Sequence, residues 1–343
     1  MRKLYLIYIF VFLFLIPFVF NKADPSTYSL LLGKIRISQV DTATNHLPPR
    51  QKINILQMCT EMKNIKEEYS LTTEETAYMV YRWISLNIKV DCANYDGKYQ
   101  SAVATFNSGK GGFVGISNLF LTMCLRSNIH SELINGYVKS MKNSNGKIIA
   151  VEEYIWNLIV IDNKNYLVNP TMGAGTCDGN GNKYIKKYND FYFATKPEFF
   201  IRTHFPELSE YQLLDNPISH EEFKSMAFLR HYFYYNCFET ISPDTNEISL
   251  KDDSTLTFTY DKSNTNLSFN AKYIIFDGSD YIYYKYNDVS FSNGVAKVSL
   301  NLSRYSNKIC GLIVYAGSDP FSSTTYSIAL FNVVDDSKKN LKS

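Results

Sequence analysis

Apolar positions recur with a helical period from about residue 72 to residue 125 and with a strand-like period thereafter. Thr72 followed by Glu75 forms a capping box, and Ala77, Val80, Tyr81, Ile84 and Ile88 follow at helical spacing, which predicts an amphipathic helix. Gly111 and Gly112 precede a second stretch, 115–125, whose Leu119, Phe120, Met123 and Cys124 predict a largely buried helix. Short apolar runs with β character then cover 132–138, 153–161 and 165–168, separated by turn-rich segments. Helices followed by strands predict an α+β domain. Residues 173–190 hold four glycines among Asn, Asp and Lys and read as an exposed loop that could border a cleft.

After Phe223 a helical or irregular aromatic stretch leads to Cys237, and from Thr255 only strand patterns remain: 256–260, 267–276, 281–286, 295–302, 309–315 and 326–333. Asn293-Gly294 is a hairpin signal between two of them, and the region reads as an immunoglobulin-like β-sandwich. The expected division is a targeting segment at 1–23, a loosely packed linker at 24–50 marked by Pro25, Pro48 and Pro49, an α+β core at 51–235, a β-sandwich at 240–335 and a polar tail at 336–343. The first segment has Arg2 and Lys3 ahead of an unbroken apolar run from Leu4 to Phe20, which fits either a cleaved signal peptide or a single signal anchor. Both place the body outside the cytosol, secreted or on the surface, with membrane contact only through that anchor.

Charge excludes one class of partner. With 35 Lys plus Arg against 33 Asp plus Glu and no basic stripe, the chain lacks the footprint of a nucleic-acid binder. Aromatic residues, 27 Tyr and 23 Phe among them, suit packed sheets rather than disorder. Six cysteines in an oxidising compartment suggest disulfides whose pairing the sequence does not reveal. The five histidines and the cysteines show no metal-ligand spacing, so neither metal nor cofactor is expected. The sequons at Asn266 and Asn301 fit an extracellular β domain.

Three stretches carry a family resemblance: Gly112-Phe113-Val114-Gly115-Ile116-Ser117-Asn118-Leu119-Phe120, Tyr154-Ile155-Trp156-Asn157, and Tyr166-Leu167-Val168-Asn169-Pro170-Thr171. In order and spacing they resemble the transglutaminase-like superfamily core, whose corresponding segments read approximately GVCxGYxxLF, HAWN and YLVDPTWG. Further segments, Tyr81-Arg82-Trp83-Ile84 and Pro197-Glu198-Phe199-Phe200 through His204-Phe205-Pro206-Glu207, resemble the kyphoscoliosis peptidase branch. The resemblance implies a papain-like α+β core followed by a β-sandwich. It places the family's nucleophilic Cys at Phe113, its general-base His at Tyr154 and its orienting Asp at Asn169, the second 41 positions after the first and the third 15 after the second.

None of the three residues can do the family's chemistry. A benzyl group has no nucleophilic atom, whereas acyl transfer requires a thiolate at a helix N-terminus. A phenol with an ordinary pKa of about 10 stays protonated where an imidazole would accept a proton. Asn169 could still orient a ring, but there is no imidazole at Tyr154 for it to orient. The reading is a catalytically inactive secreted or surface protein that acts by binding an extracellular protein or glycan, with Trp156 and Asn157 as candidate cleft residues. The alternative is a thiol-dependent peptidase or transglutaminase using a displaced cysteine. Cys124 fits a buried helix position, Cys92 and Cys177 fit disulfide halves, and His204 reads as structural rather than as a general base.

Overall fold

The computed structural model describes residues 24–95, 97–144, 147–178, 183–249, 255–261, 268–276, 281–286, 289–300, 309–317 and 326–334. The targeting segment, the asparagines of both sequons and the tail lie outside these residues. No helix among the described residues is long and apolar enough to cross a membrane.

The core opens with helices α1 (Ile37–His46), α2 (Ile55–Glu68) and α3 (Thr73–Asn87). The expected capping box starts α3: Thr72 Oγ1 accepts from Glu75 N, and Glu75 Oε2 accepts from Thr72 N at 3.0 Å. The same carboxylate receives Arg36, whose Nε lies 2.7 Å from Glu75 Oε1 and whose backbone N–H also donates to it. This ion pair overturns the expectation of a loose linker at 24–50. Tyr28, Leu31, Leu32, Val40 and Ala43 are buried in the main hydrophobic cluster, so the segment is part of the core. Its prolines stand at the ends of short helical turns rather than in a free tether.

Strand β1 (Lys89–Val90), helix α4 (Ala102–Ser108), strand β2 (Lys110–Gly111) and helix α5 (Phe113–Arg126) follow. Two long strands, β3 (His130–Ser144) and β4 (Lys147–Ile161), form a hairpin that extends well beyond the apolar runs seen in the sequence. With β5 (Lys164–Val168), β8 (Phe193–Thr195) and β9 (His204–Pro206) they build an antiparallel sheet of order β8-β5-β4-β3-β9. Between β5 and β8 lie α6 (Pro170–Ala174) and a small hairpin of β6 (Gly175–Cys177) and β7 (Tyr184–Lys186). The glycine-rich stretch is therefore partly ordered as strands. Tyr81 Oη donates to Asn189 O, which ties its far end to α3.

Helices α7 (Pro197–Phe200), α8 (His220–Ser225) and α9 (His231–Tyr235), with the short strand β10 (Phe228–Leu229), lead into the C-terminal part. There β11 (Phe238–Ser242), β12 (Glu247–Ser249), β13 (Thr255–Tyr260), β14 (Ser268–Phe276), β15 (Tyr281–Tyr286), β16 (Val289–Ser292), β17 (Val295–Ser299), β18 (Ile309–Gly317) and β19 (Tyr326–Val334) divide between two sheets. One has the order β11-β13-β17-β16. The other is β10-β19-β18-β14-β15, with β12 parallel to β19. Leu256, Phe258, Ala296 and Val298 from the first share a cluster with Leu312, Val314, Ala329 and Phe331 from the second, as facing sheets require. The region is a two-sheet β unit.

The hairpin of β3 and β4 reaches this unit. Asn332 Oδ1 accepts from both Ile148 N and Ile149 N, at 3.0 and 3.1 Å. Around these bonds Ile148 and Ile149 pack with Phe228, Ile313 and Leu330. Arg202 adds a two-pronged ion pair to Asp244, with Nη1 2.7 Å from Oδ2.

Candidate functional site

The three positions singled out by spacing do come together. Phe113 is the first residue of α5, and Tyr154 lies on β4, paired across the sheet with Gly136. Asn169 is the N-cap of α6 and is fully buried. The rings of Phe113 and Tyr154 stack with centroids 4.4 Å apart, and the two residues are only 7% and 3% exposed. Tyr95, from the turn after β1, completes the cluster: its ring meets Phe113 edge-on at 5.5 Å, and its hydroxyl donates to Tyr154 Oη at 3.0 Å. Burial raises the Tyr154 phenol well above its ordinary pKa, and burial with the Tyr154 bond leaves Tyr95 pushed up to about 12. Both phenols are neutral at physiological pH.

Asn169 is used twice. Its Oδ1 accepts from Met172 N at 3.0 Å and caps α6, so its Nδ2 faces His204 Nε2 and donates to it at 2.9 Å. Nε2 therefore carries no proton, and Nδ1–H points to Thr203 Oγ1 at 2.7 Å. Burial lowers the His204 pKa to about 3, and the ring stacks on Phe200 at 3.9 Å. The imidazole is a neutral member of the core, and its approach to Asn169 had no signal in the sequence.

Trp156 and Asn157 do not line an open cleft, contrary to the expectation from sequence. Both are completely buried. By strand alternation Tyr154, Trp156 and Leu158 share a face, where they cluster with Phe113 and Val114. The indole crosses β3 at Gly136, the one residue type that fits: a Cβ there would collide with Trp156 and with the backbone of Phe205 and Pro206. Asn157 Nδ2 donates to Ser117 O at 3.1 Å and Ser117 Oγ to Ile155 O at 3.3 Å, so this pair fastens α5 to β4.

Among the cysteines whose side chains are described, none offers a displaced nucleophile a favourable setting. Cys92 and Cys177 form a disulfide with each other. Burial pushes the thiols of Cys59 and Cys124 up, Cys237 is raised by burial together with Asp261 and Glu239, and no imidazole is hydrogen-bonded to any of the three among the described contacts. Among the described residues no group of three His, Cys, Asp or Glu could hold a metal ion.

A family model described as the transglutaminase-like superfamily core matches residues 60–170, which include α3, α5 and the three convergent positions. Kyphoscoliosis peptidase of Homo sapiens is 29% identical over 181 residues, covering 52% of this chain and 27% of that protein. Hillarin of Drosophila melanogaster is 26% identical over 176 residues, covering 48% and 22%. The Lim and transglutaminase domain protein ltd-1 of Caenorhabditis elegans is 28% identical over 177 residues, covering 47% and 24%. The chain thus spans about a quarter of the length of these curated relatives. A solved structure titled "Crystal structure of a TGase" matches 40% of this chain and 36% of that chain at 14% identity and a TM-score of 0.27, too slight a likeness to build on. Residues 60–170 thus match the transglutaminase-like superfamily core, and the relatives, alike over about half of this chain, support the kyphoscoliosis peptidase-like branch.

Proposed function

We propose that this chain is a catalytically inert transglutaminase-like protein that works outside the cytosol by binding a protein or glycan. One observation carries the reading: the stacked rings of Phe113 and Tyr154 fill the place where the resemblance puts a thiol and an imidazole. Acyl transfer needs a thiolate and a base within hydrogen-bond reach of each other, and neither a benzyl group nor a neutral, buried phenol supplies one. Among the described cysteine side chains, the alternative of a displaced thiol loses Cys92 and Cys177 to the disulfide and meets raised pKa values at Cys59, Cys124 and Cys237. The apolar leader and the disulfide both support an extracellular setting.

The test is turnover of peptide and of glutamine-amine transamidation substrates by the purified chain, with and without prior thiol alkylation. No turnover above the alkylated control is expected. Robust turnover that alkylation abolishes would refute the reading and make the labelled cysteine the nucleophile.

A further inference from the structure

The turn that carries Tyr95 is a roof over the aromatic stack, and a single covalent bond joins it to strand β6. Asn94 O lies so close over Gly112, the N-cap of α5, that any Cβ there would collide with it. Gly97 adopts φ +76°, and a Cβ at that position would lie 3.2 Å from Phe113 Cζ. Between them Tyr95 packs on Phe113 and bonds to Tyr154. The backbone of this turn therefore covers the first turn of α5, the approach a substrate would need to reach a nucleophile at position 113. At its ends the turn is held by Asp91 N donating to Gly111 O at 2.9 Å and by Asn118 Nδ2 donating to Gln100 O at 3.0 Å. Cys92 ties it to Cys177 on β6, only eight positions beyond the α6 N-cap Asn169. Both cysteines are half-buried.

We propose that residues 92–95 with Gly97 form a lid over the Phe113–Tyr154 stack and that the Cys92–Cys177 disulfide is its lock. Opening takes one dithiol. Its thiolate attacks one sulfur and breaks the S–S bond, then its second thiol displaces the mixed disulfide. The dithiol ends as a cyclic disulfide, and its two electrons and two protons leave Cys92 and Cys177 as thiols. The loop then keeps its anchors at Asp91 and Gln100 but loses the cross-link to β6. Tyr95 swings off, exposing the aromatic stack and the first amides of α5. The inference concerns closure and stands whether or not the site is inert.

Hydrogen–deuterium exchange of the full chain, before and after native-state treatment with dithiothreitol, tests it, with alkylation mapping to establish that Cys92 and Cys177 are both reduced. Exchange across 92–101 and 113–115 is expected to rise at least tenfold, while 73–87 and 130–161 stay within about twofold. The double variant Cys92→Ser, Cys177→Ser should show the reduced pattern without reductant. Four results would each overturn the proposal: a bond that dithiothreitol cannot open in the folded chain, unchanged exchange across 92–101 with both thiols free, acceleration through the whole core, or a double variant that does not fold. The last two would make the disulfide a general staple. Turnover is measured separately, so a working lid on an active site and a fixed roof on an inert one give different pairs of results.

Discussion

Acid should weaken this fold through His204. The ring is fully buried, accepts from Asn169 at Nε2, directs Nδ1–H at Thr203 and stacks on Phe200. Burial holds its folded-state pKa at about 3, whereas in the unfolded chain it titrates near 6.5. Between those values the unfolded state binds the extra proton, so stability that is complete above pH 6.5 is lost progressively as pH falls toward 3. Integrated for this single group, the loss is about 0.2 kcal/mol at pH 7 and about 2.7 kcal/mol at pH 4.5. Urea unfolding followed by the fluorescence of the two buried tryptophans, Trp83 and Trp156, measures it. Carboxylates held below their usual range by partners, such as Glu75 beside Arg36 and Asp244 beside Arg202, also cost stability in acid. The informative quantity is therefore the difference from His204→Gln, which keeps an acceptor for Asn169 but cannot titrate. Wild type should lose about 2–3 kcal/mol more than the variant between pH 7 and 4.5. Equal losses would refute the reasoning. If the variant does not fold, an NMR titration of the wild-type ring decides, and a midpoint near 6.5 would be equally fatal.

Two further variants test the seam between the core and the β unit. Lys139 is buried with Nζ 2.6 Å from Met226 O and 4.7 Å from the Phe223 ring centre, and burial with nearby Arg202 lowers its pKa to about 7. Its unfolded pKa lies near 10.5, so wild-type stability should rise from pH 7 to 10, and Lys139→Met should be about 1–3 kcal/mol more stable at pH 7 with a flatter alkaline profile. Urea unfolding at pH 7, 8.5 and 10 checks both. Asn332→Ala leaves the buried N–H groups of Ile148 and Ile149 without their acceptor and should cost about 2–4 kcal/mol, read as a lower thermal midpoint. An unchanged midpoint would mean that the hairpin tip is not fastened there.

Local rules made α3 and its capping box readable, because Thr72 and Glu75 are three residues apart and need nothing else to meet. The convergence of Phe113, Tyr154 and Asn169 was also readable, since a helix start and adjacent strands β4 and β5 preserve a family's spacing. Long-range polar contacts were not. Arg36 finds Glu75 across 39 residues and Tyr28 finds Asp190 across 162, so the segment 24–50 looked like a tether until its partners were in place. Alternation assigned Trp156 to the face shared with Tyr154 but could not say that the face is sealed, because Tyr95 arrives from a turn with no marked pattern. Lys139 is invisible for a related reason: a lysine in a strand is ordinarily read as solvent-facing, and its desolvation comes from Phe223 and Met226, more than 80 positions away.

The three unusual residues of the site make sense together rather than singly. The resemblance puts a thiol, an imidazole and a carboxylate at 113, 154 and 169, groups whose working forms carry charge. Under the roof of Tyr95 these positions are nearly closed to water, and an isolated buried carboxylate costs several kcal/mol unless something donates to it. At 169 a carboxamide donates to His204 Nε2 while capping α6, both without adding charge. At 154 a phenol supplies an acceptor for Tyr95 and a ring face for Phe113 without adding charge. At 113 a benzyl group contributes stacking where a thiolate would be desolvated with no base beside it. Each residue is neutral, and each contact depends on the next one being neutral too. A covered site of this kind disfavours a charged set of side chains, because each buried charge would need a donor or a counter-charge that the neutral neighbours do not supply.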